Sequence, residues 1–429
     1  MGGGIAGIQA ALDLAGQNIK TYLVEKKPSI GGHMAMLDKT FPTLDCSACI
    51  LTPKMVEVDK HPKIRLYTYT EVKNIEGRVG NFKVELLKKP RYVQEDICTG
   101  CGECVEVCPV EVQNEFDRGF GVRKAIYIPF PQAIPLRYTI DKESCISCKL
   151  CNTSCKANAI NHEEKPQIIE LNVSAIIVAT GYEIFNADYK ITYYNYGYKK
   201  YSNVLTTLDF ERFLNGSGPT LGHPIRLSDG KIPKRIAFIQ CVGSRDPNQG
   251  IANCSRVCCM VSIKQAILAK EHIPGCEISI FYIDIRAFGK YFEEFYNMAK
   301  ERYNINFIRG KVAEIKENYE TKNLIVKVEN TETGEFLNKE VDLAILSIGG
   351  KISKGSVQIK DILENKFHIP FVRDDGFFIQ IDPEISAVDT NIPGIYVTGY
   401  ATGPRDIPDS VAYGSAAAMR AALIAKEVE

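Results

Sequence analysis

Between Cys98 and Cys155 the chain states one cysteine arrangement twice: Cys98-x2-Cys101-x2-Cys104-x3-Cys108, followed by Pro109, and Cys145-x2-Cys148-x2-Cys151-x3-Cys155. That spacing constrains the fold strongly. A short loop must turn so that three thiolates reach three irons of one cubane, while the fourth cysteine lies on a helix leading toward the neighbouring cluster. The run therefore predicts two 4Fe–4S clusters, one on Cys98, Cys101, Cys104 and Cys155, the other on Cys108, Cys145, Cys148 and Cys151. Paired C-x2-C runs also suit tetrahedral zinc; the doubled, matched spacing favours iron–sulfur. Lys156 stands where such a motif usually has proline, which affects how the loop leaves the second site and not its ligands.

The remaining composition fits a large, reducing-compartment chain. There are 429 residues with 45% hydrophobic content, enough for two or three packed domains. Lys+Arg and Asp+Glu both number 52, so no basic footprint argues for a nucleic acid or an anionic membrane surface. No apolar run approaches the roughly 20 residues that span a bilayer, and the first residues lack the basic region of a signal peptide. A cytoplasmic chain is expected. Fifteen cysteines bunched at short intervals then read as metal ligands or redox groups, and not as disulfides of a secreted protein.

The organisation alternates. Residues 1–90 carry the helix–strand rhythm of a βαβ unit, expected as the first part of an FAD-binding domain. Residues 91–166 form the inserted two-cluster ferredoxin segment, and 167–233 resume the FAD domain. Residues 234–345 read as a second Rossmann-like domain, and 346–429 as the last part of the first. The expected fold class is α/β.

Gly2-x-Gly4-x-x-Gly7 opens the helix expected over Ile5–Ala15, and Glu25, followed by Lys26, ends the next strand. Glycines permit the tight turn and the close approach of a pyrophosphate to a helix N-terminus, and the acidic residue accepts from a ribose hydroxyl. Alone, this motif is weak, since Gly-rich starts often serve only helix–strand packing. Gly31-Gly32 and the strand end Ala179-Thr180-Gly181 strengthen it, and FAD is the expected occupant. The strand that should precede Gly2 is absent from the sequence.

The second Rossmann-like domain opens with strand Arg235–Ile239, which runs into Gln240-Cys241-Val242-Gly243-Ser244 without a G-x-G-x-x-G. Nicotinamide binding is therefore not expected, and electrons are expected to arrive through clusters. In place of the glycines stand Cys241, Cys254, Cys258 and Cys259, four soft ligands suited to a third 4Fe–4S cluster; buried structural cysteines are the bland alternative. Cys276 reads as core. Cys46-Ser47-Ala48-Cys49 leaves three readings open: a dithiol facing the flavin, ligands to a cluster completed elsewhere, or buried thiols. The six histidines form no ligand pattern.

Three segments carry a family resemblance: Lys39 to Leu51 (KTFPTLDCSACIL), Ala125 to Ala133 (AIYIPFPQA) and Gly403 to Ser410 (GPRDIPDS). Across essentially its whole length the chain resembles the heterodisulfide reductase A subunits, and with them the flavoprotein subunits of quinone-interacting oxidoreductase complexes. The resemblance implies a thioredoxin-reductase-like, two-dinucleotide-binding-domain flavoprotein with an inserted 2×[4Fe–4S] ferredoxin domain. It implies partners: disulfide-reducing B and C type subunits, a hydrogenase or formate dehydrogenase input module, and ferredoxin, in a homo- or hetero-oligomer. It also implies electron transfer toward the heterodisulfide of coenzymes M and B, by flavin-based bifurcation in the family, and a cluster on the Cys241 group. A quinone-linked role in sulfur metabolism and an NAD(P)H-dependent disulfide reductase using Cys46 and Cys49 are the alternative functions. The chain departs from long family members in lacking their N-terminal domain and C-terminal ferredoxin module. Where wider relatives place Asp after the glycine of the last strand, Gly399 is followed by Tyr400. A backbone amide or the loop from Thr402 through Ile407 to Ser410 is then expected to hold the ribityl chain, with the Ser410 helix dipole favouring a reduced, anionic flavin.

Overall fold

Alanine and aliphatic residues dominate Ile5–Gly16, and Ala6, Ile8, Ala10, Ala11, Leu14 and Ala15 are buried along this helix in the computed structural model of the chain, which describes residues 1–184, 195–247 and 251–428. The chain divides into two units, one of Met1–Ala35, Ala48–Tyr182 and Ile352–Glu429, the other of Met36–Ser47 and Glu183–Lys351.

In the first unit, strand Thr21–Val24 pairs parallel with Ile64–Tyr67, and Ile176–Val178 pairs parallel with Ile395–Val397. Met1 and Gly2 run between the two pairs. The Met1 amine donates to the Ile177 carbonyl at 2.7 Å, the Ala179 amide to the Met1 carbonyl at 2.8 Å, and the Gly2 amide to the Val24 carbonyl at 2.7 Å. These two residues thus hold the position of the end of the strand expected before the glycine motif. A cleft of about 400 Å³ lies beside them, lined by Met1, Leu14, Leu23, Ala175 and Ile177 among others. The long helix Ile407–Val428 packs on Ile5–Gly16, where Gly414 allows the approach: a Cβ there would lie 2.6 Å from the Ala6 carbonyl oxygen.

An antiparallel sheet of Thr70–Arg78, Asn81–Lys88 and Gln167–Val173 explains how the cysteine segment is inserted. Lys88 pairs with Gln167, so the chain leaves and re-enters the sheet at one rung. Arg91, 1% exposed, ties the insert down: its guanidinium donates to Glu95, Thr139 Oγ1, Thr68 Oγ1 and the Pro28 carbonyl. A fully buried arginine is stable only when its donors are so matched.

The second unit is a five-stranded parallel sheet in the order Val204–Thr206, Leu343–Ile348, Arg235–Val242, Glu277–Tyr282, Asn306–Arg309. All six residues of Leu343–Ile348 are buried, as befits a strand covered on both faces. Helices Thr207–Leu214, Cys258–His272 and Phe292–Glu301 accompany it, with an antiparallel sheet of Val312–Glu317, Leu324–Asn330 and Glu335–Val341. Residues 183–233 were expected to continue the first domain. Instead they group with the second, because Val204–Thr206 adds the edge strand to Leu343–Ile348. Likewise the final segment returns to the first unit at Ile352 and not at residue 346. The segment from Met36 to Ser47 also belongs here, held by a buried ion pair. Lys264 Nζ and Glu211 Oε1 lie 2.6 Å apart, both side chains 1% exposed, and they bond the Lys39 carbonyl and the Asp38 amide respectively. Among the described residues no helix is long and apolar enough to cross a membrane.

Candidate functional site

The glycine loop shows why each glycine is needed. Gly2 sits at φ +104°, and a Cβ on it would fall 2.2 Å from the Ala179 carbonyl oxygen; one on Gly7 would fall 1.9 Å from the Gly2 oxygen. Gly4 is different. It is the N-cap of Ile5–Gly16, has no capping side chain, and faces space open to 4 Å. Uncapped amides of a first helical turn beside open space suit an anionic group. Glu25 is buried, and its two carboxylate oxygens accept from the Gly3 amide at 2.7 Å and the Lys27 amide at 2.8 Å, which locks the loop to the strand end. Gly31 and Gly32 follow at φ +122° and +59°; the Gly31 amide donates to the Gly3 carbonyl at 2.7 Å.

The other expected residues frame the same end of the first unit. The Thr180 hydroxyl lies 2.7 Å from that of Ser356, and Ser353 Oγ donates to the Thr180 carbonyl at 2.9 Å. Gly181 and Gly399 are left-handed, and a Cβ on Gly399 would press on Ala6 at 3.0 Å. Ile407 starts the last helix, and the Ser410 amide donates to the Asp406 carbonyl. Lys26 is exposed, its side chain near Gly355.

Sequence reading missed two features here. His33 packs on Tyr182, ring centroids 4.4 Å apart, and Tyr182 stacks on Tyr400 at 4.2 Å, an aromatic row joining the segments that follow Gly32, Gly181 and Gly399. Burial, then the neighbouring Lys27, Arg118 and Lys26 cations, push the His33 pKa down to about 3, so the imidazole is neutral at physiological pH. Three cations beside the glycine loop favour an anionic ligand there. No local spacing signals these contacts; only Tyr400 stood out, for the Asp it replaces.

In the insert, the two halves turn alike. Gly100 and Gly102 are left-handed at φ +75° and +94°, and Ser147 and Lys149 repeat this at +57° and +61°. Each second turn caps a short helix, Glu103–Glu106 and Leu150–Ser154. Cys98, Cys104 and Cys151 are buried, and Cys101 and Cys148 are exposed. The thiols group across the repeat. Burial first, and then Cys98, Cys101 and Cys155, push the Cys104 thiol up to about 12. Cys108 instead lines one small cavity with Cys145, Cys148 and Cys151. Amides already point at sulfur: Ser147 N lies 3.4 Å from Cys145 Sγ and Ala159 N 3.3 Å from Cys155 Sγ. Burial makes an isolated thiolate unfavourable, a balance that bound iron reverses.

The structure also brings Cys241, Cys254, Cys258 and Cys259 together. Burial, then Cys259, Cys241 and Cys254, hold the Cys258 thiol far above its usual range, and burial is the largest influence raising Cys241 and Cys259. Cys241 and Arg256 are left-handed at φ +61° and +60°. Such positions cost of order 1–3 kcal/mol and concentrate at functional sites. Cys276 is buried apart, in the core. Cys46 and Cys49, at the start of helix Ser47–Lys60, are both disulfide-bonded. Among the described residues no three or more His, Cys, Asp and Glu side chains gather as a single metal ion would require. A four-iron cluster distributes its thiolates over separate irons and does not require that convergence.

Comparison with known proteins bears on the fold and on the insert. The 4Fe-4S binding domain family matches residues 91–113. Thioredoxin reductase of Lactococcus lactis superposes with a TM-score of 0.52 at 16% identity, covering 99% of this chain and 97% of that one. That of T. acidophilum gives 0.51 at 14% identity, covering 98% and 96%. Fold and insert together define a thioredoxin-reductase-like α/β flavoprotein fold carrying a ferredoxin-type 4Fe–4S segment. More particularly, the chain is a homologue of the heterodisulfide reductase A subunits. It is 52% identical to the A subunit of the H(2):CoB-CoM heterodisulfide,ferredoxin reductase of Methanothermobacter thermautotrophicus, over 99% of this chain and 63% of that protein. It is 54% identical to the iron-sulfur A subunit of the CoB--CoM heterodisulfide reductase of Methanocaldococcus jannaschii, over 97% and 62%. The chain thus spans about 63% of the length of these relatives.

Proposed function

We propose that this chain is the FAD- and cluster-bearing electron-transfer portion of a heterodisulfide-reductase-type oxidoreductase. The observation that carries the reading is the crossed grouping of thiols, Cys155 with Cys98, Cys101 and Cys104, and Cys108 with Cys145, Cys148 and Cys151, hung from one rung of a glycine-loop domain. These sets hold two 4Fe–4S clusters, and Cys241, Cys254, Cys258 and Cys259 hold a third. FAD lies on the loop of Gly2, Gly4 and Gly7, with Glu25, Gly31, Gly32, Thr180, Gly181, Gly399 and Ser410 around it. When bound, the flavin exchanges electrons in pairs or singly and the clusters singly. The chain's own part is to place them. Glu25 fixes the loop through the Gly3 and Lys27 amides. Lys27, Arg118 and Lys26 stabilise an anionic ligand, and Arg91 clamps the insert to the flavin domain. The donor is a hydrogenase, formate dehydrogenase or ferredoxin module, and the acceptor a disulfide-reducing partner of B and C type acting on the coenzyme M–coenzyme B heterodisulfide.

Anaerobic reconstitution tests this. About twelve irons and one flavin per chain are expected, with about four irons lost in Cys155→Ser while the signal of the Cys108 set persists. Fewer than about six irons in the wild-type chain would sink the reading. The Cys46–Cys49 disulfide supports a second reading, a flavin disulfide reductase. Rapid flavin reduction by NADPH in the same preparation, with disulfide turnover lost in Cys49→Ser, would carry that one.

A further inference from the structure

We propose that Arg245 is a fixed cationic hydrogen-bond donor to the Cys241 sulfur that sets the reduction potential of the cluster held by Cys241, Cys254, Cys258 and Cys259. The inference rests on the third ligand set proposed above.

Arg245 follows the strand Arg235–Val242 by way of Gly243 and Ser244, and is itself left-handed at φ +59°. Its amide donates to the Asn253 carbonyl at 3.2 Å, and Ser244 bridges Ile251, so the strand end and the segment entering Cys254 are stitched together. The side chain is then committed. Nη2 lies 2.8 Å from an Asp284 carboxylate oxygen, and the guanidinium stands close enough to Cys241 to oppose the upward push of burial on that thiol. Among the described residues, Nη1 is buried without a hydrogen-bond partner. A guanidinium that loses its water must find acceptors for its five donors. Sulfurs at the thiol cluster are acceptors of the required kind.

The Asp284 carboxylate pairs with Arg245, and in the iron-free thiol state its backbone carbonyl accepts from the Cys259 thiol at 3.6 Å. Arg286 is the other cation near the carboxylate, at 3.8 Å and half exposed, so it is the more strongly screened of the two. Among the charged groups acting on the Cys241 thiol, Arg245 comes ahead of Asp284, so the positive group dominates there. One-electron reduction adds negative charge to a cluster, and hydrogen bonds to its sulfurs favour that reduced form. Arg245 thus raises the potential of this cluster above what burial alone would give.

The test uses the full chain, reconstituted anaerobically, as wild type, Arg245→Met, Arg245→Lys and Asp284→Asn. Each is titrated potentiometrically while the cluster signals are followed by electron paramagnetic resonance. In Arg245→Met the reduced-to-oxidised ratio of the third cluster at fixed ambient potential is expected to fall at least tenfold, about 59 mV for one electron. Asp284→Asn removes the opposing charge and is expected to move the ratio the other way. Arg245→Lys keeps the charge without the fork and falls between. The insert's two clusters serve as internal references and stay put. Wild-type iron content with an unmoved third potential in Arg245→Met overturns the proposal and leaves the ligand set standing. If Arg245→Met loses the cluster, Asp284→Asn decides: an upward shift supports the proposal, and no shift overturns it. Absence of a third signal in the wild-type chain, with iron unchanged in Cys258→Ser, removes the ligand set and the proposal together.

Discussion

The two units leave a sheet strand and enter a helix by opposite means. In the first, the chain passes from Gly2 through Gly3 and Gly4 directly into Ile5–Gly16, and Gly4 leaves open space at the helix end. In the second, it leaves Arg235–Val242 through a left-handed Cys241 and a loop carrying Arg245 and Cys254, and enters Cys258–His272 with two thiols in its first turn. One turn presents backbone amides and room; the other presents soft side chains and fills the room. In the function proposed above, the same topological position serves a phosphate in one case and a metal cluster in the other, decided by whether the turn is made with glycine or with cysteine.

Substitution within the glycine loop separates its two duties, and this is the largest effect expected. Gly7→Ala would force a Cβ to within 1.9 Å of the Gly2 oxygen. A loss of about 3 kcal/mol in folding stability is expected, read as a lower melting temperature with or without flavin. Gly4→Ala meets nothing within 4 Å, so stability should change by less than about 1 kcal/mol. Flavin affinity should nevertheless fall at least about tenfold, the methyl occupying the approach of the pyrophosphate. Flavin bound as tightly as by the wild type in Gly4→Ala would place the phosphate elsewhere.

The chemistry-bearing parts that were legible in the sequence are those whose geometry is local. Cysteines two and three residues apart must share a turn, and Gly2, Gly4 and Gly7 must lie within one loop, so their spacing already states their arrangement. What escaped is carried by long-range packing. His33, Tyr182 and Tyr400 pack in a row although they come from three distant segments, and Lys264 and Glu211 pair in the interior although either, read alone, looks like a solvated charge. The boundary near residue 183 was missed for the same reason. Val204–Thr206 is too short to declare its partner, and only its pairing with Leu343–Ile348 assigns it to the second unit.

pH distinguishes the two turns by the limb on which each fails. His33, beside the glycine loop, has a folded pKa of about 3 against an unfolded value near 6.5. The unfolded chain therefore binds a proton that the folded chain refuses. This stability is full above about pH 6.5 and is lost as pH falls toward about 3. The thiol turn behaves oppositely in iron-free protein: burial holds Cys259 at about 11, so stability is full below about pH 8.5 and is lost as pH rises toward about 11. Melting temperatures across this range should show both limbs. His33→Phe should flatten the acid limb while keeping the contact with Tyr182, and iron loading should flatten the alkaline one. An acid limb unchanged in His33→Phe would assign it to other groups.

The smallest effect concerns the two halves of the insert, which make the same left-handed turns with different residues. At the first turn, a Cβ on Gly100 would lie 3.0 Å from the Leu136 oxygen and 3.1 Å from its Cγ, so the first half cannot carry a side chain cheaply. Ser147 occupies the matching place in the second half and sustains φ +57° with a side chain in place. Gly100→Ser should then cost about 1–2 kcal/mol, combining left-handed strain with crowding. The reverse change is nearly balanced. Ser147→Gly relieves about 1 kcal/mol of backbone strain, but the greater freedom of glycine in the unfolded chain returns about 0.5–1 kcal/mol. Denaturant unfolding of the iron-free chain should therefore show a clear loss for Gly100→Ser and a change within about 0.5 kcal/mol for Ser147→Gly. Equal and opposite shifts would mean that backbone strain alone, and not the Leu136 contact, decides where the insert keeps its glycines.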